Sequence, residues 1–242
     1  MTASLSSEYG YIRDNLQRIE EKIQNACISA GRPREEVTLM AVTKTVEPAR
    51  INAALAQGIH CIGENRVQEF LEKRDALALD GVQAHLIGHL QTNKVKSIVG
   101  QVDMIQSVDS EHLARAISDA ALKTPRGCVD VLVEVNNGEE ASKSGVPAEK
   151  LEELLEKISG FAGIRVRGLM AIPPILFSEE EKRAIFSQMR KLFIDIRDKN
   201  VDNITMEILS MGMSMDYVEA IREGSTLVRI GSAIFGAREY IK

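Results

Sequence analysis

Short apolar runs alternate with amphipathic stretches along nearly the whole chain. Residues 37–44, Val-Thr-Leu-Met-Ala-Val-Thr-Lys, read as a buried strand. The helix predicted after it starts at Pro48, ends by Gly58 and turns Ile51, Ala54 and Leu55 inward. The same pairing recurs at 59–65 with a helix striped by Val67, Phe70 and Leu71, and at 84–89 with a helix starting near Thr92 or Asn93. It continues at 104–108, followed by a helix presenting Leu113, Ala116, Ile117 and Ala120. In the second half, 129–136 leads to a helix begun by Pro147 and striped by Leu151, Leu154, Leu155 and Ile158. Residues 165–172 lead to a helix whose Ser178 and Glu181 form a capping-box signature, with Ile185, Met189, Leu192 and Ile196 inward. Apolar runs at 204–210 and 227–235 complete about eight strand-plus-helix units, the number that closes a parallel barrel.

One helix lies outside this series. Ile12, Leu16, Ile19, Ile23 and Ala26 share a face before Gly31 and Pro33 end the pattern, so an extra N-terminal helix is expected to flank the barrel. The expected organisation is a single α/β domain over 1–242, with the helix in 1–32 and a TIM (β/α)8 barrel over 37–236. An open doubly wound sheet is the rival, but it places a glycine-rich phosphate loop after its first strand. Here that segment is Thr43-Lys-Thr-Val-Glu-Pro48, without glycine. Small-residue turns follow the last two strands instead, where barrels commonly bind phosphate.

Composition narrows the classes further. The 242 residues are 44% hydrophobic and 27% charged with a net charge of -5, so no basic footprint for nucleic acid stands out. No apolar stretch is long enough to span a membrane, and the N-terminus lacks signal-peptide features, which makes the cytoplasm the expected location. Cys27, Cys61 and Cys128 are odd in number and set in apolar contexts, as expected of reduced core thiols. No metal-ligand pattern is apparent, and His85 and His89 read as supporting or surface groups.

The candidate chemistry lies at the strand ends. Lys44 stands at the exit of the first strand, where an amine could attack a carbonyl. Gly231 and Ser232 follow the last strand and let a phosphate approach backbone amides, while Ser210 and Ser214 are expected to bracket the start of the preceding helix. Strand parity turns Val129, Val131, Val133 and Val135 toward the helices and Glu134 and Asn136 into the lumen. Lys44 shares a face with Met40 and Val42, and Arg229 one with Leu227 and Gly231, so Lys44, Glu134, Asn136 and Arg229 are expected to line one cavity. An aldehyde-binding lysine with a phosphate cradle describes a site for pyridoxal 5′-phosphate. Each feature has a plainer account: a solvated strand-end lysine, a helix-capping Ser214, an Arg229 paired with Glu207 or Glu134. Their joint occurrence on the first and last strands favours the cofactor.

Several longer motifs carry a resemblance. Ala41-Val-Thr-Lys44, Gly63-Glu-Asn65 with Val67-Gln-Glu69, His85-Leu-Ile-Gly-His-Leu-Gln-Thr-Asn-Lys94, Ser142-Lys-Ser-Gly145, Ser210-Met-Gly-Met-Ser214 and Val228-Arg-Ile-Gly-Ser-Ala-Ile-Phe-Gly236 occur in order. In these the chain resembles the pyridoxal phosphate homeostasis protein family, whose barrel is similar to the alanine racemase N-terminal domain. The resemblance implies pyridoxal 5′-phosphate held as an internal aldimine on Lys44, with Asn65 near the cofactor. It also implies Ser210, Ser214, Gly231 and Ser232 around the phosphate and Arg229 at the pyridine ring. Apart from the resemblance, Lys94, Lys96 and Lys143 read as solvated lysines, with ligand contact by Lys143 after the fifth strand as the alternative. The family is regarded as regulating vitamin B6 supply without established turnover. Fold-related racemases add a β-rich domain that contributes a catalytic group, and the chain is expected to lack it. A monomer that binds the cofactor and meets apo enzymes transiently is therefore expected. An amino-acid racemase and a cofactor-free Schiff-base aldolase are the alternatives.

Overall fold

The computed structural model describes residues 9–136, 144–173 and 178–236. Helix α1, Gly10–Ser29, buries Ile12, Leu16, Ile19, Ile23, Ala26 and Cys27, the predicted face plus one cysteine. It ends where Gly31 takes a left-handed φ of 64° and Pro33 follows. Asn15 Nδ2 donates to the carbonyl of Ile234 (2.8 Å) and Arg32 Nη1 to that of Ser225 (2.8 Å), which lash this segment to the C-terminal end of the chain.

The strands follow in chain order. They are β1 (Thr38–Val42), β2 (Cys61–Glu64), β3 (Gln83–Leu86), β4 (Met104–Val108), β5 (Val129–Asn136), a two-residue β6 (Val146–Pro147), β7 (Ile164–Met170), β8 (Ile204–Met213) and β9 (Leu227–Ile230). The sheet order is β4-β3-β2-β1-β9-β8-β7-β5, all parallel, and pairing of β4 with β5 closes it into an eight-stranded barrel. The short β6 adds to the end of β5 outside that ring.

Helices α2 (Pro48–Leu55), α3 (Val67–Lys73), α4 (Val95–Ile98), α5 (Glu111–Ala121), α6 (Leu151–Ser159), α7 (Glu179–Lys199), α8 (Tyr217–Arg222) and α9 (Ser232–Phe235) complete the set. The α7 capping box forms as its sequence requires: Glu181 N–H donates to Ser178 Oγ (3.2 Å) and Ser178 N–H to Glu181 Oε2 (2.7 Å). On α7, Phe186 and Phe193 join Ile185, Met189 and Ile196 in the core, while Leu192 is only half-buried. The aromatic rings widen the apolar stripe beyond a strict i, i+4 row, each buried side chain contributing roughly 1.5–3 kcal/mol.

Two packing layers separate cleanly. Val129, Val131, Val133 and Val135 join the shell between barrel and helices. Met40, Val42, Cys61, Ile87 and Leu227 form one lumen cluster, Met104, Leu132 and Met170 another, and Ile208 touches both. The inward and outward parity expected for β1, β5 and β9 is the one observed. Gly168 permits the β7–β8 approach, because a Cβ there would stand 1.8 Å from the Ile208 carbonyl oxygen.

Two elements differ from expectation. Ser210 does not open a helix. β8 runs on to Met213, because Ser210 still pairs with Met170 and Leu227, and the turn into α8 comes only at Ser214–Asp216. Gly212 sits at φ 90° in the irregular stretch where the β8–β9 register shifts. The final apolar run is likewise not one strand, since it breaks at Gly231 into β9 and the short α9. Among the described residues, no helix is long and apolar enough to cross a membrane.

Candidate functional site at the carboxyl ends of the strands

A cavity of about 410 Å³ opens at the C-terminal ends of the strands. Its walls include Val42, Lys44, Asn65, Ile87, Ser214, Arg229, Gly231 and Ser232, together with Ile172, Lys182, Met215 and Asp216. Of the seven residues singled out in the sequence as cofactor-binding, only Ser210 lies off this wall. A larger cavity, about 690 Å³, lies between α1 and the N-terminal ends of β1–β3, lined by Arg13, Arg34, His60 and Gln83. Arg34 there is engaged by both oxygens of Glu20, and barrels of this class carry their chemistry at the other end.

Lys44 sits in the turn just beyond β1, not on the strand itself. Its two neighbours are fixed. Thr43 is fully buried, donates N–H to the Gly63 carbonyl (2.9 Å) and donates its hydroxyl to Glu64 Oε1 (2.6 Å). Thr45 has φ 62°, rare for a β-branched residue, and its N–H donates to Glu69 Oε1. Lys73, on the buried stripe of α3 one turn after Phe70, donates to the Thr43 carbonyl (2.8 Å) and to Glu69 Oε1 (3.1 Å), and contacts Glu64 Oε1. Burial pushes the Glu64 carboxyl above the usual carboxylate range, and Lys73 and Thr43 pull it back.

The opposite wall is built on β8 and β9. Arg229 is 3% exposed and donates through Nη1 to Ser210 Oγ (2.6 Å) and through Nη2 to the Ala171 carbonyl (2.8 Å). Both partners are neutral, so neither Glu207 nor Glu134 pairs with it. Glu207 instead bonds Arg167 on the barrel exterior, and Glu134 accepts from Ser144 Oγ (2.8 Å). Burial pushes the guanidinium down to about 10, opposed by the more distant Glu134 and Asp216, and it stays protonated at neutral pH.

Behind Arg229 the donors run one way across the lumen. Ser210 Oγ donates to Gln106 Oε1 (2.7 Å), and Gln106 Nε2 to His85 Nδ1 (2.9 Å), beside Cys61 Sγ at 3.9 Å. This order requires an unprotonated Nδ1, and burial lowers the imidazole to about 4. The same burial raises the Cys61 thiol to about 12, so it is inert as a nucleophile.

Ser210 therefore supports Arg229 from below and does not face the cavity. Ser214 does face it, and its Oγ receives the N–H groups of Gly231 (3.3 Å) and Ala233 (3.5 Å) at the long end of hydrogen-bonding range. Asn65 Oδ1 is buried on the cavity wall without a hydrogen-bond partner among the described residues. Glu134 and Asn136 are not part of that wall, although Glu134 is buried in the lumen as its parity requires. Lys143 lies outside the described residues. His89 is exposed beside Asp109, and Cys27 and Cys61 are buried free thiols while Cys128 is half-buried.

Sequence reading missed Lys73, Gln106, Lys182 and Asp216. A signal existed for the first two: Lys73 repeats the i+3 spacing of Val67 and Phe70, and Gln106 shares lumen parity with Met104. Asp216 is placed by a turn, where its carboxylate accepts from Met213 N–H (2.6 Å). Burial raises its carboxyl above the usual range.

Known proteins match this chain along nearly its whole length. The alanine racemase N-terminal domain family matches residues 14–239. The pyridoxal phosphate homeostasis protein of Aquifex aeolicus is 44% identical over 94% of this chain and 98% of its own, and that of Escherichia coli K12 is 37% identical over 96% and 98%. PipY of Synechococcus elongatus, solved with PLP bound, superposes with a TM-score of 0.78 at 32% identity, covering 93% of this chain and all of its own. An alanine racemase from Corynebacterium glutamicum shares the fold alone, at 16% identity and a TM-score of 0.67, with 62% of its length covered. With such identity over nearly the full length of both partners, this chain belongs to the pyridoxal phosphate homeostasis protein family.

Proposed function

We propose that the protein binds pyridoxal 5′-phosphate in the C-terminal cavity and holds it for the cell's vitamin B6 balance rather than turning over amino acids. The observation that carries this reading is the convergence of Lys44, Asn65, Ser214, Arg229, Gly231 and Ser232 on one cavity. The donor set fits the group. Lys44 supplies an amine for the aldehyde, and the amides of Gly231 and Ala233, whose bonds to Ser214 Oγ are long, would turn with that hydroxyl to a phosphate. The buried, unpartnered Asn65 Oδ1 awaits a donor. Relatives named for pyridoxal phosphate homeostasis and the PLP-bound PipY support the same ligand.

Bound pyridoxal phosphate supplies a reactive aldehyde and a ring able to accept electrons. Arg229 bears on the second property. Fixed by Ser210 and the Ala171 carbonyl, its guanidinium, protonated at neutral pH, would keep a facing ring nitrogen unprotonated and so weaken the ring as an electron sink. Met215 and Ile172, both exposed at the cavity, give the entrance an apolar edge. Transient contact with apo enzymes that need the cofactor belongs to the same proposal.

Loading with pyridoxal 5′-phosphate should give a visible absorbance band that Lys44→Ala abolishes. An unchanged band in that variant overturns the assignment of Lys44. Solvent deuterium should not enter the α-carbon across an amino-acid panel, and steady exchange there would restore the racemase reading.

A further inference from the structure

We infer that Lys73, together with Glu64 and Glu69, is a positioning residue for Lys44. The inference rests on the reading of Lys44 as the cofactor's covalent partner. The bonds of this cluster converge on the residues either side of Lys44. On one side Thr43 gives its carbonyl to Lys73 (2.8 Å) and its hydroxyl to Glu64 Oε1 (2.6 Å). On the other, the N–H of Thr45 goes to Glu69 Oε1, the same oxygen that Lys73 reaches at 3.1 Å. A single carboxylate oxygen therefore ties the far side of the turn to the ammonium that ties the near side.

The backbone needs such a clamp. Thr45 carries φ 62°, a region that β-branched residues avoid and that persists only where surrounding contacts over-determine it. Without the Glu69 acceptor, the turn would relax toward ordinary φ and swing the Lys44 stem with it. A buried ion pair is by itself a weak source of stability, because desolvation offsets its attraction. Here its product is a fixed origin for the Lys44 side chain, pointed into the cavity that also holds Arg229 and Ser214.

Covalent capture depends on that origin. The neutral Lys44 amine adds to the aldehyde carbon, water departs, and a carbon–nitrogen double bond remains. Pyridoxine 5′-phosphate carries an alcohol in place of the aldehyde, so it can enter the same cavity but cannot form that bond. The two ligands thus separate positioning of the amine from integrity of the site.

The test compares Glu69→Ala, Glu69→Gln and the parent protein. It follows visible absorbance on titration with pyridoxal 5′-phosphate, and calorimetry with pyridoxine 5′-phosphate. Glu69 is partly exposed, so its variants should keep the fold even where Lys73→Met does not. Glu69→Ala should weaken covalent capture about tenfold while pyridoxine 5′-phosphate binding stays within about twofold. Glu69→Gln, which retains an acceptor oxygen, should recover most of the loss. Equal losses for both ligands, or covalent capture unchanged in Glu69→Ala, overturn the inference. A visible band that survives Lys44→Ala marks failure of the underlying reading, a result distinct from an unresponsive Glu69→Ala in a protein whose band does need Lys44.

Discussion

Lys73 and Arg229 are the two buried cations among the described residues, and the barrel treats them in opposite ways. Lys73 meets two carboxylates and a backbone carbonyl, so its charge is answered within the protein. Arg229 meets a serine hydroxyl and a carbonyl, with Glu134 and Asp216 acting only from farther away. One cation is neutralised and fixes backbone. The other is held in shape but left electrostatically open toward the cavity, as a site for an anionic, ring-bearing ligand requires.

The largest break in this contrast comes from Lys73→Met. It leaves Glu64 buried without its counter-charge, and urea denaturation at neutral pH should register a loss of about 3–5 kcal/mol. Adding Glu64→Gln to the same chain should restore most of it. If the single variant loses less than about 1 kcal/mol, Glu64 does not depend on Lys73 for its counter-charge.

Acid provides the next test, through the chain behind Arg229. His85 is held at about 4 against an ordinary 6.5, so the unfolded chain takes up its proton first as pH falls. Stability present above pH 6.5 is therefore lost as the pH drops through about 4, by roughly 3 kcal/mol in all. Protonated Nδ1 also refuses the Gln106 donor and severs the chain. Denaturation curves at pH 7 and pH 4.5 should differ by about 2 kcal/mol in the parent and by much less in His85→Gln. Equal pH dependence in both would remove His85 as the titrating group.

Ser210→Ala is the gentlest probe. It deletes the acceptor for Arg229 Nη1 and the donor to Gln106, at a cost of about 1–2 kcal/mol by thermal or urea unfolding. A freed guanidinium should bind pyridoxal 5′-phosphate more weakly while the Lys44-dependent visible band persists. Unchanged affinity would show that the neutral support under Arg229 does not tune the site.

Much of this layout was legible in the sequence because strand parity and small-residue turns are local properties. The valines of β5, the inward Glu134 and the placement of Lys44 and Arg229 at one end followed from a period of two and from knowing which strands close a barrel. What escaped depends on long-range register. Ser210 has the composition of a phosphate ligand, yet the bulged extension of β8 turns it beneath Arg229. The i+3 spacing with Val67 and Phe70 turns Lys73 inward, but nothing local states that its ammonium crosses to a loop thirty residues earlier in the chain. Asp216 and Lys182 reach the cavity only through the turns and helix packing that follow β7 and β8.

The left-handed Thr45 carries a lesson for anyone grafting this chemistry onto another scaffold. A lysine moved alone to the end of a foreign strand would bring its amine and leave its bearings behind. The smallest portable piece runs from Thr43 through the second strand to Lys73, because the bonds that aim the side chain begin and end within that stretch. In this barrel the bearing of the Lys44 turn is a property of two consecutive strand–helix units, and a designer would have to copy both.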